Sequence, residues 1–222
     1  MAKLAIICEG KTERNFVEEI LAPCFLSRGL DVYPVEIGIE NIQHGGNVSF
    51  ARMMKDCRIL LQDHEYVTTL IDFYRIGRDW RGVNEIEESM SSDEKAQTIE
   101  HFALLDAIQM LGAKDVERRL FFNVIMHEFE GLLFSDPEVI VRVTRAAKAV
   151  TALKEIATTF QTPEDIDNGR NTAPSKRLAS SKANYGKVVH GTRIVREIGL
   201  ETIREKCPHF NSWMIRLEGL CK

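Results

Sequence analysis

With 222 residues, 44% of them hydrophobic, the chain is long enough to bury a substantial core, as one large domain or as one domain with an appendage. A formal net charge of −4 excludes a uniformly basic nucleic-acid coat but leaves room for a local basic stripe. The five cysteines, Cys8, Cys24, Cys57, Cys207 and Cys221, show no metal-ligand spacing, and no apolar run is long enough to span a bilayer. An odd cysteine count, with an N-terminus that runs straight into an apolar strand, reads as a protein of a reducing cytoplasm.

In chain order, Lys3 to Cys8 reads as a buried strand that stops at Glu9-Gly10-Lys11-Thr12-Glu13. Thr12 to Arg28 reads as a helix burying Phe16, Val17, Ile20 and Leu21, with Thr12 as the expected cap and Pro23 as a bend or stop. Asp31 to Ile37 is the second strand. The loop His44-Gly45-Gly46-Asn47 leads to a helix carrying Phe50, Met53, Met54, Cys57, Leu60 and Leu61. Tyr66 to Ile71, rich in β-branched residues, is the third strand. Arg75 to Ser92 is a polar stretch expected to be an exposed loop, anchored by burial of Trp80. A helix over Glu94 to Leu111, with Phe102, Leu104, Leu105 and Ile108 inward, precedes a fourth strand over Phe121 to Met126. This alternation predicts an α/β fold, a mainly parallel sheet of about four strands flanked by helices.

After Phe134 the strand signals stop. Helical patterns cover Pro137 to Arg145, Val150 to Phe160, Pro174 to Ala183, Ile194 to Lys206 and Phe210 to Leu220, with Trp213 read as core and Thr162 to Gly169 as a linker-like turn. The expected organisation is an α/β core over 1–135 with a helical C-terminal extension, 136–222, packed on it.

Three apolar runs end in acids: Glu9 after the first strand, Asp72 after the third, and Glu128 and Glu130 after the fourth. Parallel strands deliver their C-terminal tips to one edge, so these carboxylates are expected to meet there. Glu13, one helical turn on, either faces the same point or complements the helix dipole. Oxygen donors of this kind suit Mg or Mn, which take carboxylates, waters and substrate phosphate. The glycine behind Glu9 is read as permitting a sharp turn and a close phosphate. His127 is either a further ligand or a hydrogen-bonded structural histidine. His127-Glu128-Phe129-Glu130-Gly131 is not a zincin motif, since no second histidine follows at helical spacing. There is no Gly-x-Ser-x-Gly elbow and no Walker lysine loop.

From Asn168 to Arg196 the chain carries Arg170, Lys176, Arg177, Lys182, Lys187, Arg193 and Arg196 without an acid. This is either a solvated helix face or a phosphate-binding stripe. Pro174 at a first helical position, followed by Ser175, Lys176 and Arg177, would offer donors to a phosphate, and Tyr185 and His190 would stack on bases or reach phosphates. Lys11, Lys176, Arg177 and Lys187 are the expected nucleic-acid contacts.

Cys8-Glu9-Gly10-Lys11-Thr12-Glu13 resembles the first motif of Toprim domains, in the Glu-Gly-x-Thr-Glu version of OLD-type (overcoming-lysogenization-defect) nucleases. Together with Leu70 to Tyr74, His127 to Phe134, Ala173 to Arg177 and Lys206 to Phe210, it makes the chain resemble, nearly end to end, the Toprim-like family called domain of unknown function 4276. The resemblance implies a Toprim-like fold and Mg bound at Glu9, as ligand or general acid/base, and at Asp72. Tyr74 stands where the second Asp of the Toprim Asp-x-Asp pair would fall, and Glu128 and Glu130 are the expected replacements.

The leading expectation is a Mg- or Mn-dependent nuclease or related phosphoryl-transfer enzyme. Glu9, Asp72 and Glu128 would be catalytic, with Glu13 and Glu130 as further ligands and nucleic acid, DNA before RNA, as substrate. The resemblance further implies a role in bacterial phage defence beside an ABC-type or AAA ATPase. The alternatives are a non-catalytic partner of such an ATPase and a small-substrate phosphohydrolase.

Overall fold

A computed structural model describes residues 1–38, 47–112, 115–166, 169 and 171–221. Loop residues His44 to Gly46, and Arg170 of the basic segment, lie outside the described residues.

Among the described residues five strands, β1 (Ala2–Cys8), β2 (Leu30–Glu36), β3 (Tyr66–Asp72), β4 (Leu120–Phe121) and β5 (Val124–Ile125), form one sheet in the order β2-β1-β3-β4, with β5 also beside β3. Every pairing is parallel. The fourth predicted strand is thus two short ones. At the break the Thr69 hydroxyl donates to the Asn123 carbonyl (2.9 Å) and accepts from the Asn123 N–H (2.8 Å), a side chain standing in for a ladder partner.

The helices are α1 (Lys11–Phe16), α2 (Ala22–Leu26), α3 (Phe50–Asp63), α4 (Ser92–Leu111), α5 (Val116–Arg119) and α6 (Pro137–Thr144). They continue with α7 (Val150–Thr159), α8 (Pro174–Ser180), α9 (Lys187–Ile198), α10 (Leu200–Lys206) and α11 (Pro208–Glu218). The single helix expected over Thr12 to Arg28 has a π turn, Val17–Leu21, between α1 and α2. Pro23 crowds the carbonyl four residues back, at Glu19 inside that turn, and the wider π winding accommodates it without ending the helix. Gly10 rather than Thr12 holds the cap position, without a side-chain bond. The helix expected over Ile194 to Lys206 starts earlier and is cut into α9 and α10 at Gly199, whose φ of 85° a side chain would strain.

Alternation along β1 feeds two cores. Ala2, Leu4, Ile6 and Cys8 face one side with α1, α2 and the C-terminal helices, while Ala5 and Ile7 face the other with α3 and α4. The helical C-terminal part therefore packs on one face of the sheet, where Trp213 Nε1 donates to Thr68 Oγ1 at 3.2 Å. Among the described residues no helix is long and apolar enough to cross a membrane.

Helix α4 buries Ala96, Ile99, Ala103 and Ala107 most fully; of the large residues expected inward, Leu104 and Ile108 are half-buried against the same core, whereas Leu105 is 42% exposed. The stretch before α4 is not a loose loop. Trp80 is buried against Phe50 and Phe122 and donates to the Val48 carbonyl (2.9 Å). Gly82 then lies so close to α4 that an added Cβ would sit 2.6 Å from Ile99 Cα. Gly82→Ala is accordingly expected to cost about 1–3 kcal/mol through backbone overlap. A melting temperature equal to wild type would show that this segment does not press on α4.

Candidate metal and phosphate site

Because the strands are parallel, β1, β3 and β5 end at one edge of the sheet. Glu9 follows β1, Asp72 ends β3, and Glu130 lies in a 3-10 segment, Phe129–Ser135, after β5. Glu13 reaches the same place from the first turn of α1. Glu13, Asp72 and Glu130 are all buried, at 1%, 2% and 0% exposure.

At their centre stands a cation from the far end of the chain. Lys187, first residue of α9, brings Nζ to 3.3 Å from Glu130 Oε2, 3.7 Å from Asp72 Oδ2 and 3.9 Å from Glu13 Oε1. Its side chain is 41% exposed, so it enters from the solvent side. Sequence reasoning assigned Lys187 to a phosphate; the structure turns it toward carboxylates.

Each acid has further restraints. Glu9 accepts from Arg75 Nε (2.9 Å) through Oε1 and from the Asp72 N–H (3.4 Å) through Oε2. Asp72 Oδ1 accepts from the Phe129 N–H at 2.8 Å, which ties the β3 tip to the segment carrying Glu130. Tyr185 donates its hydroxyl to Glu130 Oε1 at 3.1 Å. Glu13 Oε1 and Glu130 Oε2 are buried without a hydrogen-bond partner.

Electrostatics follow from this crowding. Burial raises the Glu13 carboxyl to about 7, against the pull of Lys187, with Glu9 and Glu130 adding to the rise. Burial, then the charge of Glu13, pushes Asp72 well above the usual carboxylate range, and burial raises Glu130 too. Burial disfavours the Lys187 charge, but Asp72, Glu130 and Glu13 outweigh it and raise its pKa. Such a grouping, at the carboxyl edge of a parallel sheet, marks a candidate functional site.

The other expected residues lie around this centre. Glu128 has both oxygens on Ser175, accepting from its N–H (2.8 Å) and hydroxyl (3.0 Å). The donors at the start of α8, read from sequence as open to a phosphate, therefore meet a carboxylate. His127 is buried in left-handed backbone (φ 67°), its ring 6.3 Å from that of Phe73. The chain bends at Glu9 and Gly10 as expected, but Gly10 is extended (φ −162°), a conformation open to any residue, so the bend does not require glycine. The Tyr74 hydroxyl donates to the Gly169 carbonyl at 3.3 Å.

Lys11 and Lys176 are exposed. Arg177 donates to the Thr172 carbonyl (2.6 Å) and lies over Phe160, and Arg193 and Arg196 pair with Glu197 and Glu19. The basic segment is therefore largely engaged in structure. Tyr185 and His190, read as base-stacking groups, hold Glu130 and the start of α9; His190 Nδ1 accepts from the Gly186 N–H (2.9 Å). Arg75, which braces Glu9, went unnoticed in the sequence because it opens a polar stretch that reads as loop.

Among the described residues no group of three or more His, Cys, Asp or Glu side chains stands in an arrangement that holds a metal ion. The donor set nonetheless fits a hard divalent cation chemically: it is oxygen only, and two of its buried oxygens lack hydrogen-bond partners.

No curated protein matches the chain. Among solved structures, the iodine-phased C-terminal region of the Xanthomonas campestris pv. campestris OLD protein is similar at 16% identity and a TM-score of 0.38, over 97% of each chain. The platinum-phased structure of the same region gives 16% identity and a TM-score of 0.39, over 96% of this chain and 94% of that one. The family model described as Domain of unknown function (DUF4276) matches residues 8–218, nearly the whole chain, and the protein belongs to that family.

Proposed function

We propose that this protein is a Toprim-type, Mg- or Mn-dependent phosphoryl-transfer enzyme that cleaves nucleic acid at the carboxylate cluster. The observation that carries this reading is the meeting of Glu9, Glu13, Asp72 and Glu130, from four separate segments, at the carboxyl edge of a parallel sheet. The likeness of Cys8 to Glu13 to the first Toprim motif supports it.

In this reading Glu13, Asp72 and Glu130 hold the ion, and Glu9 is kept in position by Arg75 and the Asp72 N–H. A bound Mg or Mn supplies an activated water and positive charge against the phosphate. Exposed Lys11 and Lys176 orient the phosphate backbone, so cleavage is expected to weaken as salt rises. Glu128 supports the site from outside by anchoring α8.

The test is nicking of supercoiled plasmid in Mg or Mn by wild type and by Glu9→Ala. Nicking by wild type that is lost in the variant is expected; equal nicking by both removes the site. A non-catalytic partner role is the competing reading, favoured by Tyr74 at the place of the second Toprim acid and by the Lys187 ammonium among the carboxylates. Robust cleavage by the isolated chain excludes it.

A further inference from the structure

Lys187 differs from the other groups that restrain the cluster. Arg75 on Glu9 and Tyr185 on Glu130 make hydrogen bonds of 2.9 and 3.1 Å. Lys187 Nζ instead stands 3.3, 3.7 and 3.9 Å from three carboxylates, and the nearest oxygens of Glu130 and Glu13 remain without a hydrogen-bond partner. The ammonium is held mainly by the field of several acids, with Glu130 the nearest of them. It also has a way out: the side chain is 41% exposed and begins α9, where Val188 and Val189 are exposed too.

We propose that Lys187 is an internal counter-ion, exchangeable for a divalent cation: it keeps the carboxylates together when no ion is bound, and swings to solvent when one binds. The inference rests on the metal-site reading above and adds a regulation to it. The physical cause is a charge mismatch. One ammonium faces Glu13, Asp72 and Glu130, with Glu9 close behind, too little positive charge for all of them to ionise together. A doubly charged ion answers more of that charge and takes up the two unsatisfied oxygens, whereas a lysine can reach them only loosely. The two cations cannot share so small a space, so ion binding includes the work of displacing the ammonium. Arg75, bonded closely to Glu9 at the rim, stays.

Two measurements test this. The first titrates Mn into wild type, Lys187→Met and Glu13→Gln by calorimetry. Removing the competing charge is expected to tighten binding by about tenfold or more in Lys187→Met, since a like charge a few ångströms away opposes the ion even in a moderately screened site, while Glu13→Gln weakens it. The second uses wild type alone, so that poor folding of the variant cannot mask the answer. An amine-acylating reagent is applied with and without Mg, and labelling at Lys187 is read by mass spectrometry against exposed Lys11 and Lys176. Mg is expected to raise the Lys187 rate severalfold relative to those two. Metal binding by wild type with unchanged Lys187 labelling, or with no gain in Lys187→Met, overturns the exchange and leaves the metal site standing. No binding to either protein overturns both.

Discussion

Asp72→Asn is expected to lower metal-dependent cleavage by about 10²–10³-fold while leaving the protein folded and at least as stable as wild type. Asp72 is 2% exposed, and its pKa is pushed up by burial and by Glu13, so its ionised form is costly in the folded state. Asparagine keeps the shape and keeps an oxygen for the Phe129 N–H, the 2.8 Å bond that ties β3 to the segment carrying Glu130. It removes the negative charge and sets an amide NH2 where Oδ2 stood 3.7 Å from Lys187 Nζ. Loss of activity without loss of melting temperature is the behaviour of a group retained for function at the expense of stability. Glu128→Gln is the control. Its oxygens are spent on Ser175, so activity is expected to fall less than tenfold, with the cost in the anchoring of α8. Plasmid cleavage and thermal melts on both variants decide the matter, and equal activities of Asp72→Asn and wild type would remove Asp72 from the chemistry.

Much of the fold was legible because β1 and β3 are apolar runs too short for helices, with punctuation at both ends. The parallel order followed from the helices between them. What stayed hidden has physical reasons. Large residues dominate a reading of periodicity, but α4 packs closely through Ala96, Ala103 and Ala107, which leaves Leu105 outside. The break between β4 and β5 depends on the Thr69 side chain, which is distant in sequence from Asn123. The end of α9 was visible as Gly199, yet glycine inside a helical pattern is ambiguous without its φ.

At the site, the strand-tip acids stand out because sequence order and sheet polarity alone carry them to one edge. Lys187 does not stand out. It sits in a basic run, and only the packing of α9 against α1 reveals that its ammonium reaches Glu13. Of the two acids after the fourth strand, nothing in the sequence says that Glu130 turns to the cluster and Glu128 to Ser175. That choice depends on the left-handed backbone at His127 and on the 3-10 segment that follows.

His209→Ala is expected to destabilise the fold by about 2–3 kcal/mol at pH 6, with the deficit shrinking as pH rises through about 9. His209, near the start of α11, is 5% exposed, and its ring bridges Asp93 and Glu100 of α4, each at 2.9 Å. Burial disfavours its charge, but the hydrogen bond and charge of Glu100, then Asp93 and Glu164, raise its pKa to about 9, from a usual value of about 6.5. The folded pKa lies above the unfolded one, so the contribution is complete below about 6.5 and is lost as pH climbs past about 9. Glu164 is held by the backbone N–H groups of residues 209 and 210, at 3.0 and 2.8 Å, and these bonds survive the substitution. Other titrating groups, the carboxylate cluster included, are present in both proteins, so the difference between them isolates the histidine. A residue of about 1 kcal/mol is expected to persist above pH 10 from the lost packing of the ring. Urea unfolding of the two proteins from pH 6 to 10 measures the effect. A deficit that stays constant across that range would mean that the ring is neutral in the folded protein, and that no charged pair ties α11 to α4 through His209.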